Sequence, residues 1–481
     1  MDNKKIVSSL IYKFAERFSI KALGFIVSIV LARILTPDEF GQVAIITVFV
    51  NLCQTFITSG FSTALVQDKN VDQNDYSTVC HISFGISAIL ALISVLIAPV
   101  LGDFYKNDDL VLPIQVYSLS LFIAAISSVQ NAKLQREMKF KTVLITSLIA
   151  TVLSGALGIA LALLGAGIWA LIAHYFSYNV FSVILVFIAD KWYPKFVFSI
   201  KRAKELFSYG WKMLVSAMLC SLYADIRTLV IGKMFSSDSL GYYNRGQQIP
   251  EVISGTLDSS MQSVMLPVLS RSQDNKEQVK AFLRNTIKYN CFIIIPAMVG
   301  LAVVARPLVL FLLTEKWLSA VDFIQISCIG YAAIPLVSSC LVSIKAIGRS
   351  DVYMRLEIIR RIAMLGVLLT SMFVFKSVEA IAWGFVASSW IDVLIVSIPT
   401  KRLVGYGLFD QLKDIWKIIL SSLIMGCVVF SLGLLKLPPF AALLLQVLIG
   451  ITVYFIACIM LRESCITEIK KALCSYRNKK S

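Results

Sequence analysis

Residues 33–43 read RILTPDEFGQV, and residues 233–243 read KMFSSDSLGYY. Set 200 positions apart, Arg33 faces Lys233, Thr36 faces Ser236, Asp38 faces Asp238, Phe40 faces Leu240 and Gly41 faces Gly241. The register persists downstream. Thr47, Asn51, Gln54, Thr58 and Ser62 meet Gln247, Glu251, Ser254, Asp258 and Gln262 at the same offset. Steps of four and three residues put each polar set on one helical face. A weaker echo pairs the basic stretches near 133–141 and 345–361. The chain is expected to contain a duplicated unit.

Everything around these two copies is apolar. Of 481 residues, 58% are hydrophobic and 15% charged, against about 25% charged in a typical soluble domain. The mean hydropathy is +0.79. A soluble fold could not hide that much apolar surface. A bilayer core of about 30 Å takes about 20 apolar residues per helix. Such segments recur from 9–33 to 439–461, joined by short connections. The expected fold class is an all-α membrane protein of about 14 transmembrane helices. An offset of 200 residues then spans six helices. An even number preserves orientation, so the repeats are parallel, related by an axis normal to the membrane. The expected organisation is a six-helix lobe at 1–200, a second at 201–405, and two further helices with a basic tail at 406–481. Met1 to Lys5 is basic, but Lys13, Glu16, Arg17 and Lys21 and the lack of a convincing cleavage site mark the first segment as a retained helix rather than a cleaved signal.

Net charge of +16 could point to nucleic acid, but its distribution does not. With both termini cytoplasmic, 33 of the 45 Lys and Arg fall in inner segments and 7 in outer ones. That asymmetry is the positive-inside signature and explains the basic balance without a nucleic-acid partner. The ten cysteines are scattered, mostly in apolar segments, with no CxxC or Cys/His spacing, so no metal is expected. No GxxxxGK[ST] loop is present, so no nucleotide-powered step is expected.

A charge inside a membrane span costs at least about 2.5 kcal/mol and usually faces a wet cavity. The first span carries Lys13, Arg17 and Lys21 at helical spacing; the seventh carries Lys212 and Arg227; the eighth carries Arg245, Glu251 and Asp258; the twelfth carries Asp392. Cations at several depths suit a diphosphate, and buried acids suit a transported proton or sodium ion. Plainer alternatives stand beside these. Arg17 and Lys212 could snorkel to inner headgroups, and Arg227 and Arg245 could sit at the outer interface. Glu251 and Asp258 could pair with those cations. Asp392 could cap or cross-link helices. The polar stripes could simply glue helix to helix.

The stretches ARILTPDEFGQVAI at 32–45, GFSTALVQ at 60–67, FSYGWKMLVS at 207–216, IGKMFSSDSLGYYNRGQQIP at 231–250 and MLPVLSR at 265–271 occur in an order that is similar to one family. The chain resembles the Wzx-type polysaccharide flippases of the multidrug/oligosaccharidyl-lipid/polysaccharide (MOP) superfamily, closest to the lipopolysaccharide and exopolysaccharide branch. The resemblance implies a secondary transporter of the bacterial inner membrane. It implies that an undecaprenyl-diphosphate-linked oligosaccharide passes from the cytoplasmic to the periplasmic leaflet by alternating access, through a V-shaped cleft lined by spans 1, 2, 7 and 8. Arg17, Lys21, Lys212 and Arg227 are then candidates for the diphosphate, with Asn51, Gln54 and Arg245 completing the substrate-binding set. Glu251 and Asp258 are candidates for coupling to H+ or Na+. Membrane lipids and the polysaccharide polymerase machinery are the other expected partners, and no cofactor or catalytic residue is expected. The helices after 405 resemble a lipid-associated extra pair. The alternatives are a multidrug or cation exporter of the same fold, which a cationic cleft disfavours, and a membrane polysaccharide polymerase or ligase. The lack of a large outer loop with clustered acids and bases disfavours the latter.

Overall fold

A computed structural model describes residues 3–68, 71–271, 275–435, 438–463 and 465–466; the side chains of residues 3–18 and of several residues between 263 and 271 lie outside it. Among the described residues all regular structure is helical. The first stretch comprises α1 (Asn3–Ile34), α2 (Pro37–Ser59), α3 (Phe61–Gln67), α4 (Gln73–Tyr105), α5 (Val111–Ser118), α6 (Ser120–Arg136), α7 (Phe140–Leu163) and α8 (Ile168–Asp190). It continues with α9 (Ile200–Met234), α10 (Ser237–Arg271), α11 (Lys276–Leu312), α12 (Ala320–Tyr331), α13 (Ile334–Ala346), α14 (Ser350–Thr370) and α15 (Val378–Val404). It ends with α16 (Leu408–Gly433) and α17 (Pro439–Met460).

Twelve segments among the described residues are long and apolar enough to cross a membrane. The other two of the fourteen expected spans coincide with α1 and α10, which are long helices but do not meet that measure. The protein is an all-α, multi-pass membrane protein.

The duplication is visible in element order. A short 3-10 turn at Asp108–Leu110 precedes α5 and α6, and another at Glu315–Trp317 precedes α12 and α13. The fourth and tenth apolar segments, expected as single helices, are both broken, at Leu119 and at Ala332–Ala333. The polar stripes explain part of this. Gln54 Nε2 donates to Ser120 Oγ (3.2 Å) beside the first break, and Ser254 Oγ donates to the Tyr331 carbonyl (3.4 Å) beside the second. Gln54 and Ser254 are 200 positions apart. Both stripe members stitch helix to helix, Gln54 through a side-chain hydroxyl and Ser254 through a backbone carbonyl that hydrocarbon could not satisfy.

The weak echo of basic turns is also real. After α6, Met138 N bonds the Gln135 carbonyl and Lys139 N the Leu134 carbonyl; after α13, Gly348 N bonds the Lys345 carbonyl and Arg349 N the Ile344 carbonyl. The pattern is the same at an offset of 210. Both central residues have positive φ, 56° at Met138 and 76° at Gly348. The turn requires a left-handed residue, which glycine supplies without strain and methionine does not.

The chain divides into two compact units, Met1–Gly241 and Tyr242–Ser481. In the first, α1 packs on α7, α7 on α8, α4 on α6, and α2 and α3 on α9. Its helices are inside-out relative to soluble ones. On α4, Ser83, Ser87, Ala91, Ser94, Ala98 and Gly102 are buried, while Leu92, Leu96 and Val100 are exposed. Small residues let helices approach closely, and large apolar ones face lipid.

In the second unit, α11 is central. It packs against α12, α13, α16 and α17. Ile415, Ile418, Met425 and Val429 of α16 and Tyr454 and Cys458 of α17 share one buried cluster with Leu283, Ile287 and Cys291 of α11. Tyr454 Oη donates to the Phe292 carbonyl (2.8 Å). Arg360 Nη2 donates to Asp392 Oδ2 (2.8 Å), so Asp392 cross-links α14 and α15, the plainer of its two expected roles.

Candidate functional site

The two copies of the opening motif meet each other within the first unit. Thr36 caps α2, its Oγ accepting from Glu39 N while the Glu39 carboxylate accepts from Thr36 N, and Pro37 starts the helix. Ser236 caps α10 in the same way, accepting from Ser239 N (3.3 Å). Gly41 lies against Ser237, and Gly241 lies against Pro37. A Cβ added at Gly41 would stand 1.8 Å from the Ser237 carbonyl oxygen, and one at Gly241 would stand 2.1 Å from that of Pro37. Pro37 and Ser237 are again 200 apart, so the contact is self-complementary, as in an isologous interface. Only glycine fits at either position.

From this junction α9 runs back along α2. Gly232 touches Ile45, and Gly210 touches Gly60. At the far end a polar cluster pins α9 to α3 and α4. Arg202 donates through Nε and Nη2 to Asp75 (2.9 and 2.8 Å), through Nη2 to Asp68 (2.8 Å) and through Nη1 to Glu205 (2.8 Å). Asp75, then Glu205 and Asp68, hold the guanidinium pKa above its ordinary value. The fork on Asp75 is a bidentate geometry that lysine cannot reproduce. Arg136 adds bonds to the Leu65 carbonyl (3.0 Å) and the Asp68 carbonyl. Neither Arg202 nor Asp75 stood out in the sequence, since they are 127 positions apart in turns of ordinary composition.

The candidate residues fall on both units. In the first, Lys21 on α1, Asn51 on α2 and Lys212 on α9 are exposed, and Gln54 and Arg227 are partly buried. The side chain of Arg17 lies outside the described residues. Lys212 and Arg227 are 15 residues apart on one helix, about 22 Å along its axis at 1.5 Å per residue. No single diphosphate touches both. They lie at two levels of one helix.

In the second unit Arg245 is buried. Its guanidinium donates to Gln248 Oε1 (2.6 Å) and lies 5.6 Å from the centroid of Trp317. Glu251 is exposed on the same helix. Asp258 is 5% exposed. Its Oδ1 accepts from Ser338 Oγ (2.5 Å) and Asn290 Nδ2 (3.2 Å), and its Oδ2 accepts from Gln262 Nε2 (2.5 Å). These partners are all neutral. A carboxylate in low dielectric, solvated by neutral donors, is a place where a proton or small cation can be taken up without displacing a fixed charge. Nothing in the local sequence marks Asn290 or Ser338, although the 210 offset places Ser338 over Ser128.

That offset leads back to the first unit. Thr58, the counterpart of Asp258, and Ser128, the counterpart of Ser338, line a cavity of about 440 Å³ among α2, α3, α6 and α8. Gln54 lines it as well, so one expected binding residue lies on its wall.

A family model described as "Polysaccharide biosynthesis protein" matches residues 30–322. The chain belongs to this family of polysaccharide biosynthesis proteins. Among curated relatives of this member, the teichuronic acid biosynthesis protein TuaB of Bacillus subtilis is 24% identical over 90% of this chain and 89% of its own length. The succinoglycan biosynthesis transport protein ExoT of Rhizobium meliloti is 22% identical over 93% and 91%. A solved structure of a lipid II flippase, MurJ, in an inward closed conformation matches with a TM-score of 0.77 at 18% identity, covering 95% of this chain and 100% of that one. An inward-facing multidrug resistance MATE transporter of the MOP superfamily matches with a TM-score of 0.59 at 16% identity, over 80% and 94%. At these identities the structural likeness shows the fold alone, which this chain shares with that flippase and that transporter.

Proposed function

We propose that this protein is a secondary transporter that flips an undecaprenyl-diphosphate-linked oligosaccharide across a bacterial inner membrane, from the cytoplasmic to the periplasmic leaflet, for surface polysaccharide synthesis. The observation that carries the proposal is family membership in polysaccharide biosynthesis joined to a transporter fold, over almost the whole chain, that a lipid II flippase also has. The duplicated order of elements supports alternating access between two lobes, 1–200 and 201–405, with 406–481 as an added pair. The Lys and Arg asymmetry supports cytoplasmic termini, which places the Thr36 and Ser236 turns at the periplasmic face and Arg202 at the cytoplasmic face.

In this mechanism Arg17, Lys21 and Lys212 receive the diphosphate near the cytoplasmic face and Arg227 passes it outward, one station at a time. Asp258 takes up H+ or Na+ in one access state and releases it in the other. The likeness to a lipid II flippase and to a MATE transporter supports a carrier rather than a polymerase or ligase, with the polymerase machinery as its downstream partner. The likeness to the MATE transporter favours a second reading, export of cationic drugs, which the cations of α1 and α9 oppose. The test is reconstitution in liposomes with a lipid-linked oligosaccharide, measuring leaflet accessibility with and without H+ or Na+ gradients. Leaflet exchange above that of empty liposomes is expected. Drug efflux without lipid exchange would overturn the proposal.

A further inference from the structure

The polar cavity of the first unit has a composition that its neighbours lack. Nine of the twelve residues lining it carry a hydroxyl or a carboxamide, and none is charged. Its volume of about 440 Å³ lies within the range of small-molecule sites, roughly 300–1,000 Å³.

The hydrogen bonds around it have a common direction. Thr58 Oγ1 donates to the Gln54 carbonyl (2.9 Å), and Ser128 Oγ donates to the Ala125 carbonyl (2.9 Å). Asn131 Nδ2 donates to Ser127 Oγ (3.1 Å), Gln54 Nε2 to Ser120 Oγ, and Asn179 Nδ2 to the Tyr175 carbonyl (3.1 Å). Thr58 and Ser128 commit their only proton to their own helix, Asn131, Gln54 and Asn179 each commit one of two amide protons, and all five keep oxygen lone pairs. The wall therefore presents neutral oxygen acceptors beside the remaining amide protons of its carboxamides. An apolar chain would leave those acceptors without partners, at about 1–3 kcal/mol apiece. A phosphate carries negative charge and finds no cation among the lining residues. A directly bound sodium ion needs oxygens closing on one point, and this cavity is far larger than that. A ligand dense in hydroxyl donors is left.

The duplication sharpens the assignment. At the same place in the second unit, Asp258 and Ser338 close on each other at 2.5 Å. In the first unit their counterparts Thr58 and Ser128 instead border an open cavity.

We infer that this cavity is a saccharide subsite, which holds a sugar of the lipid-linked oligosaccharide while the diphosphate rests on the cations of α1 and α9. The inference rests on the flippase proposal and adds to it the residues that distinguish a glycosylated lipid from a bare one. The ligand contacts are hydrogen bonds from sugar hydroxyls to Thr58, Ser128, Asn131 and Gln54. The cavity lies toward the basic end of α6, the cytoplasmic end in the proposed orientation, where the substrate is loaded.

The test compares two lipids on the full-length protein in nanodiscs: the undecaprenyl-diphosphate-linked repeat unit purified from cells carrying the gene, and undecaprenyl diphosphate alone. Thr58→Val keeps the shape of the side chain and removes its oxygen; Asn131→Ala removes the carboxamide. The double variant is expected to bind the glycosylated lipid at least tenfold more weakly and the bare lipid within twofold of wild type. Equal loss for both lipids, or no loss for either, would overturn the subsite while leaving the flippase proposal standing. Failure of the wild-type protein to bind either lipid would overturn both. Should the double variant not fold, Thr58→Val alone, whose hydroxyl bonds only its own helix, is expected to weaken glycosylated lipid about threefold, and no change there would overturn the subsite.

Discussion

Replacing Arg202 with alanine tests whether the α9 cluster is a latch. Asp75 is 4% exposed, and Arg202 supplies two of its bonds, both within 2.9 Å. In Arg202→Ala the carboxylate keeps the Asp72 N–H (3.1 Å) and loses its cation. Stranding one partner of a buried pair costs about 3–5 kcal/mol. The guanidinium side chain is 28% exposed, so water replaces part of the interaction, and about 2–3 kcal/mol is the working figure. If that energy holds α9 against α3 and α4, its loss raises the population of the parted state by about 30- to 150-fold. The readout is an Ala64→Cys probe. Ala64 is 2% exposed and shares a buried cluster with Leu206 of α9. In a background lacking Cys53, Cys220, Cys427 and Cys474, a membrane-permeant maleimide should label the probe faster by that factor in Arg202→Ala. Arg202→Lys should give an intermediate rate, because an ammonium cannot fork. A control cysteine at Ala305, fully buried in the second unit, should keep its wild-type rate. Equal labelling of Ala64→Cys with and without Arg202 would refute the latch. An equal rise at both probes would show general loosening instead.

Three further outcomes are expected. Gly41→Ala and Gly241→Ala should each lower the unfolding midpoint in detergent by a few degrees, at a cost of about 1–3 kcal/mol for the forced separation, while Gly24→Ala, where a Cβ meets nothing within 4 Å, should leave it within a degree; similar midpoints for all three would discount the glycine junction. Asp258→Asn keeps the shape of its nest and removes the charge, so liposome transport should lose its dependence on pH or sodium while lipid affinity stays within about twofold; retained ion dependence would remove Asp258 from coupling. Arg227→Ala should abolish polysaccharide export with normal amounts of folded protein in the membrane, and wild-type export would exclude it as a diphosphate station.

What could be read in the sequence follows from what a bilayer demands. Apolar runs, a one-sided charge distribution and a duplicated turn are requirements of insertion and of helix starts, so they are written locally. Thr36, Pro37 and Glu39 specify a helix start whatever surrounds them. The breaks at Leu119 and Ala332 were not legible, because apolar sequence continues through them. Their trace is in the partner helix, at Gln54 and Ser254. The Arg202 cluster was hidden for a related reason: it joins three turns distant in sequence, and no periodicity links them. Arg245 shows the limit from the other side. Its charge drew attention, but burial beside Gln248 and Trp317 depends on a fold that brings a 3-10 turn next to α10.

The duplication carries information beyond architecture, because each copy is a control for the other. The turns at Met138 and Gly348 share a backbone and a hydrogen-bond pattern, yet only one has glycine. The shared conformation is therefore held by the helices on either side rather than by the residue at the turn. Where backbones agree this closely, differences in side chains report differences in task. Gln54 and Ser254 both bond to a neighbouring helix beside its break, so those positions kept one role. Thr58 and Asp258 did not. A carboxylate with three neutral donors within 3.2 Å is held in a closed nest, and in the proposed coupling role it takes up a proton or small ion. A threonine at the same place, with its proton given to its own helix, leaves the adjoining space open and presents an acceptor. A transporter that must both hold a bulky polar cargo and couple to an ion gains by placing these tasks in different repeats, since neither ligand then competes with the other for the same oxygens.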